Sequence, residues 1–186
     1  MPISDYYVAL RRKHGHDLLL ISAVAAVVHD AEGQILVQER PDGGFSLPAG
    51  AIEPGEQPAQ TIAREVYEET GLTVRPKQLL GVFGGQPVRY ANGDAVEYLV
   101  CLFACEIISG DLRCLDGESA SVRLFPPDDV PPPGFEYPRN LSVRDIGILP
   151  FQWDDKWLRG DSPAPGSRDG GTSVGPPRSS TVRDVA

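Results

Sequence analysis

Gly50-Ala-Ile-Glu-Pro-Gly-Glu56 is followed, seven residues later, by Arg64-Glu65-Val66-Tyr67-Glu68-Glu69-Thr70-Gly71-Leu72. Within this stretch, Gln57 to Thr70 places Ala59, Ile62, Ala63 and Val66 at the i, i+3, i+4, i+7 spacing of one buried helical face. Pro58 suits the first turn, and Gly71 suits a left-handed stop. At about 100° per residue, Glu65, Glu68 and Glu69 form a second stripe, about a third of a turn from the first, so that three carboxylates face one small volume. Like charges three and four residues apart disfavour a helix by a few tenths of a kcal/mol each, unless something positive lies over them. A hard divalent cation such as Mg²⁺ or Mn²⁺ fits a set of oxygen donors that lacks imidazole and thiolate. Ordinary solvated glutamates are the alternative reading of the helix alone.

Outward from this helix the pattern is that of mixed strands and helices. Ser4 to Lys13 reads as a short helix with Tyr7, Leu10 and Tyr6 on its apolar side. Ala23–Val28 and Ile35–Glu39 flank Asp30-Ala31-Glu32-Gly33, whose turn chemistry predicts a hairpin. Leu79–Phe83 and Val96–Ile108 are further strands, separated by a loop containing Asn92-Gly93-Asp94, and Val122–Phe125 is the last. No repeat of 20 to 50 residues is present, which sets solenoids and propellers aside.

The chain of 186 residues is sized for one domain plus a surplus. The expected domain is residues 1–158. Residues 159–186 read as a disordered tail, because Gly160 to Ala186 holds five Gly and four Pro and few apolar side chains. Net charge is −9, and residues 1–158 carry 13 Lys and Arg against 23 Asp and Glu. Such a surface repels a phosphate polymer, so no stable nucleic-acid complex is expected. No run is apolar and long enough to span a bilayer and Met1 to Leu10 does not resemble a signal peptide, so the expectation is a cytoplasmic protein without membrane contact. Cys101, Cys105 and Cys114 read as buried strand thiols.

The opening stretch resembles the Nudix hydrolase box, G-x5-E-x7-R-E-U-x-E-E-x-G-U with U aliphatic. Gly50, Glu56, Arg64, Glu65, Val66, Glu68, Glu69, Gly71 and Leu72 match it at every specified position. Phe45-Ser46-Leu47-Pro48-Ala49-Gly50 resembles the approach to the box, with Ala49 where the family usually has glycine, and the likeness covers about residues 18 to 130. It implies an α/β fold, a Nudix-type α/β/α sandwich around a mixed β-sheet. It also implies a metal-dependent hydrolase, using Mg²⁺ or Mn²⁺, that cleaves the diphosphate bond of a nucleoside diphosphate linked to another group.

Carried over by position, Gly50, Glu56, Glu65, Glu68 and Glu69 are the metal-site residues, with Glu65 and Glu69 foremost, and Arg64 orients the carboxylates. Glu65, Glu68, Glu118 and Arg64 are the catalytic candidates. Family members differ in which acid deprotonates water; Glu118 in the Asp116-Gly117-Glu118 loop is the candidate outside the box, with Asp116, Asp94 and Glu97 competing. Arg40, Pro87 and Tyr90 are the substrate-binding candidates. Pro87, 15 residues beyond Leu72, resembles a marker of ADP-ribose-cleaving members, while Phe83, Tyr90 and Tyr98 read either as base-stacking or as core.

The favoured substrate is a small nucleotide of the ADP-ribose or nucleotide-sugar type. Nucleoside triphosphates, oxidised ones included, and a non-catalytic nucleotide-binding module are the alternatives. An RNA-decapping role is disfavoured by charge, although Arg11-Arg12-Lys13 is a candidate basic patch. A homodimer, frequent among similar proteins, stays open.

Overall fold

A computed structural model describes residues 4–131, apart from 42, 86, 116 and 118. The order is α1 (Asp5–His14), β1 (Leu19–His29), β2 (Ile35–Glu39), β3 (Phe45–Ser46), β4 (Ala49–Ala51), α2 (Pro58–Thr70), β5 (Leu72–Phe83), β6 (Pro87–Arg89), β7 (Ala95–Gly110) and β8 (Ser121–Phe125). The expected tail and the end of the expected domain lie outside the described residues.

All eight strands form one mixed sheet with the central path β3-β2-β1-β7-β5. β1 and β7 run parallel from Leu19↔Val96 to His29↔Glu106, while every other pairing is antiparallel. Parallel neighbours need a long crossover, and the chain between β1 and β7 provides one that carries α2. β4 pairs with β1 through Val24↔Gly50, and β8 pairs with β2 through Gln38↔Val122. The α/β class and the mixed sheet are as expected.

Side chains along β1 alternate between two cores, as the two-residue period of a strand requires. Val24, Ala26 and Val28 pack with Leu36, Ile62, Val66 and Leu72 under α2. Ala23, Ala25 and Val27 join Ile35, Val37, Phe83, Val100 and Leu102 in the second core. Ile21, of the latter parity, meets Tyr7 of α1 and Val96. Phe83 is thus a core residue.

α2 has the expected bounds. Gln60 accepts a hydrogen bond from the Gln57 backbone at its start, and Gly71, at φ 73°, ends it with an N–H donated to the Tyr67 carbonyl. Its buried face differs from the expected one. Ala59 is exposed, because the first turn lies ahead of the segment that meets the sheet, whereas Thr61, Glu65 and Glu69 are buried beside Ile62 and Val66.

Three smaller expectations are corrected. Arg11 is no part of a basic patch: it is buried, and its guanidinium donates to the carbonyls of Gly15, Asp17 and Ala95. Asp94 is likewise buried, accepting from His16 Nδ1 at 2.6 Å and from Asn92 at 2.8 Å, with Arg11 at 3.7 Å. Burial pushes its carboxyl up, but the His16 and Asn92 hydrogen bonds and the Arg11 charge outweigh that and hold it below the usual carboxylate range. This cluster ties α1 to the β6–β7 turn, which removes Asp94 as a mobile base. Cys105 is buried and Cys101 half-buried in β7, yet Cys114 is exposed and outside any strand. Among the described residues, no helix is long and apolar enough to cross a membrane.

Candidate active site

Arg64, at the middle of α2, gathers the carboxylates. Its Nε and Nη2 donate to the two oxygens of Glu56 at 2.7 and 2.8 Å, a bidentate pair that lysine has no geometry to make. Its Nη1 donates to Glu65 and to Glu68, each at 3.1 Å. Glu56 is also fixed from α2 and from its own loop, accepting from Thr61 Oγ1 at 2.9 Å and from the Glu53 backbone at 3.2 Å. The Arg64 hydrogen bond, with those of Thr61 and Glu53, overcomes partial burial and holds the Glu56 carboxyl down at about 2. The same partner raises Arg64 above its ordinary value, so this arginine stays charged at any working pH.

Two of the box carboxylates are removed from solvent. Glu65 is 4% exposed and Glu69 2%. A buried carboxylate is costly unless it is paired and hydrogen-bonded. Glu65 has Arg64, whereas Glu69 accepts from Nε2 of Gln38 at 2.9 Å. Gly50, in β4, lies against this group with no side chain of its own, and a Cβ there would occupy the position of the Glu65 carboxylate.

The structure therefore brings Gly50, Glu56, Arg64, Glu65 and Glu68 together as expected, but it divides the acidic stripe. Glu56, Glu65 and Glu68 hang on Arg64, while Glu69 is held separately by β2. Among the described residues, no three carboxylate, imidazole or thiolate groups converge as a ready-made metal cage. The donor set still fits a hard cation. It consists of oxygen donors, two of them buried carboxylates, beside a glycine whose missing Cβ leaves room for the Glu65 carboxylate.

The remaining candidates fall elsewhere. Arg40 follows the end of β2, two residues beyond Gln38, in a turn closed by its N–H to the Gly44 carbonyl and the Gly43 N–H to its own. Pro87 begins the exposed strand β6 rather than sitting in a loop. Tyr90 packs into the α1 cluster, its hydroxyl 2.8 Å from that of Tyr98. Glu97 is half-buried on β7, opposite Pro87. Glu118 and Asp116 lie outside the described residues. Their described flanks meet the site, since the Leu115 N–H donates to the Glu69 carbonyl and the Ala120 N–H to that of Glu39, next to Gln38. Sequence reasoning missed Gln38 altogether.

An arginine-clamped glutamate helix laid on a mixed sheet from a glycine-containing strand defines the Nudix class, and the chain belongs to that family: the NUDIX domain model matches residues 19–144. The chain is similar to a MutT-like protein of Streptomyces ambofaciens, 34% identical over 58% of this chain and 65% of that one. It is also similar to an ADP-ribose pyrophosphatase of Methanocaldococcus jannaschii, 31% identical over 54% of this chain and 56% of the relative. These matches span less than two thirds of either relative's length. The crystal structure of a MutT NUDIX hydrolase from Burkholderia pseudomallei superposes with a TM-score of 0.50 at 25% identity, over 65% of this chain and 94% of that one.

Proposed function

We propose that this protein is a divalent-metal-dependent hydrolase of the diphosphate bond in a nucleoside diphosphate linked to a second group, with ADP-ribose or a nucleotide sugar as the substrate class. The observation that carries the reading is the pair of buried carboxylates one turn apart on α2, Glu65 against Gly50 and Glu69 against Gln38. Burying two negative charges on one helix turn is unfavourable in isolation, and a cation that draws a phosphate to the same place relieves it. Membership of the family supports the chemistry, and the similarity to an ADP-ribose pyrophosphatase supports the substrate class.

Glu65, Glu68, Glu69 and the Gly50 carbonyl would hold Mg²⁺ or Mn²⁺. Glu56 acts behind them through Arg64. When bound, the metal neutralises the diphosphate and lowers the pKa of a coordinated water. Arg64 holds Glu65 and Glu68 in fixed rotamers, so that little reorganisation accompanies the reaction. Glu118 is the proposed base that removes the proton from the attacking water, on a segment whose described neighbours Leu115 and Ala120 are tied to Glu69 and Glu39. Arg40 is the proposed contact for a phosphate oxygen.

Glu118→Gln is expected to lower kcat by about 10²- to 10⁴-fold, the usual worth of a general base, with Mn²⁺ affinity unchanged. An unaltered rate and pH profile would assign the base elsewhere. The function itself is tested by nucleotide release from ADP-ribose, nucleotide sugars, dinucleoside polyphosphates and nucleoside triphosphates with Mg²⁺ or Mn²⁺. Selective turnover of the first two classes is the expected result. Turnover confined to triphosphates overturns the substrate class, and nucleotide binding without any product overturns the enzyme.

A further inference from the structure

Gln38 is 1% exposed, in a strand whose preceding residues Ile35, Leu36 and Val37 are all apolar core. An apolar side chain there would pack against the α2 core without desolvating an amide, so the buried amide calls for a partner. It has two. Nε2 donates to Glu69 Oε2 at 2.9 Å, and Oε1 lies 3.4 Å from the hydroxyl of Ser46, the residue opposite it in the β2–β3 ladder. Glu69, whose carboxylate only accepts, defines which end of the amide is NH₂, and the Ser46 hydroxyl, donating to Oε1, holds the amide in that orientation.

Gln38 is also held from two strands, because β3 pairs it with Ser46 and β8 pairs it with Val122. Its leverage falls on one oxygen of one carboxylate.

Resting on the reading of Glu69 as a metal ligand, we infer that Gln38 is a positioning residue that, oriented by Ser46, fixes the Glu69 carboxylate for the cation by occupying one of its oxygens. An amide is neutral, so it sets the rotamer and satisfies the buried oxygen without competing for the cation or cancelling the carboxylate charge. A lysine or arginine in its place would do both. Groups that orient metal ligands in this way are worth about 10- to 100-fold in metal affinity.

The experiment is Mn²⁺ titration of the metal-free protein followed by electron paramagnetic resonance of the free ion, alongside Mg²⁺ activation curves with ADP-ribose. Gln38→Met is expected to weaken Mn²⁺ binding about 10- to 100-fold and to raise the Mg²⁺ concentration for half-activation in parallel, with a smaller change in kcat at saturating metal. Ser46→Ala is expected to shift both in the same direction by a few-fold. A structural role alone would lower the thermal midpoint and leave Mn²⁺ affinity untouched. Wild-type affinity in a folded Gln38→Met protein overturns the inference, and so does wild-type affinity in Ser46→Ala if Gln38→Met does not fold. A wild-type protein that binds no Mn²⁺ overturns the metal reading on which it rests, and is distinguished by that control.

Discussion

Glu69→Gln is expected to abolish metal-dependent turnover while leaving the protein folded. The replacement keeps the shape of the side chain and still offers Gln38 Nε2 a carbonyl oxygen in place of the carboxylate it now meets at 2.9 Å. What disappears is one negative charge, 2% exposed, on the side of α2 that faces the sheet. A metal supplies several kcal/mol of charge stabilisation in the transition state, and about 1.4 kcal/mol is a factor of ten, so the expected loss is on the order of a thousandfold or more. Stability moves the other way. Without metal, neutralising a buried carboxylate removes a desolvation penalty, and the thermal midpoint of the variant equals or exceeds that of the wild type. Added Mg²⁺ raises the midpoint of the wild type alone, because only a protein that binds the ion gains from mass action. Scanning both proteins with and without Mg²⁺, beside the nucleotide-release assay, checks each half. Near-wild-type turnover in a folded variant removes Glu69 from the metal site.

The fold and the carboxylates were legible where period and spacing carry information. Ile62 and Val66 mark the buried face of α2, Gly71 stops it, and the runs around Ala23 and Val96 are long enough to show as strands. Strands of two or three residues, such as β3, β4 and β6, have no period to detect. The first half of β5 alternates correctly, with Leu72 and Val74 buried between exposed Thr73 and Arg75, but Pro76 and Lys77 obscure it. Asp94 read as a candidate base and Arg11 as part of a basic patch because the partners that tie them across the fold, His16 and Ala95 respectively, lie more than 75 residues away along the chain. Gln38 had no local signal. Only the crossing of β2 under the end of α2 converts an ordinary polar strand residue into the partner of Glu69.

The same distinction between local pattern and tertiary placement sets the expected outcome for Arg64→Ala. Arg64 satisfies Glu56, Glu65 and Glu68 at once, and its removal leaves Glu65, 4% exposed, without the cation beside it. Breaking a buried pair by deleting one partner costs about 3 to 5 kcal/mol, but the Arg64 side chain is 26% exposed, so about 2 kcal/mol is expected after solvent screening. That corresponds to a fall of about 4 to 8 °C in the thermal midpoint. Turnover falls as well, by about 10- to 100-fold, since the carboxylates lose the group that orients them. The deficit depends on pH with a definite sign. Glu56 titrates near 4.5 when unperturbed and at about 2 in the fold, so its pairing contributes fully above 4.5 and is lost as pH falls through about 2. Denaturant unfolding at neutral pH and at about pH 2.5 should show the gap between wild type and Arg64→Ala large at the first and much reduced at the second. Arg64→Lys restores the charge without the fork, and belongs between the two at neutral pH. An equal gap at both pH values would mean that Arg64 stabilises the helix by packing alone, and that the carboxylates of this site are held by something other than the arginine at their centre.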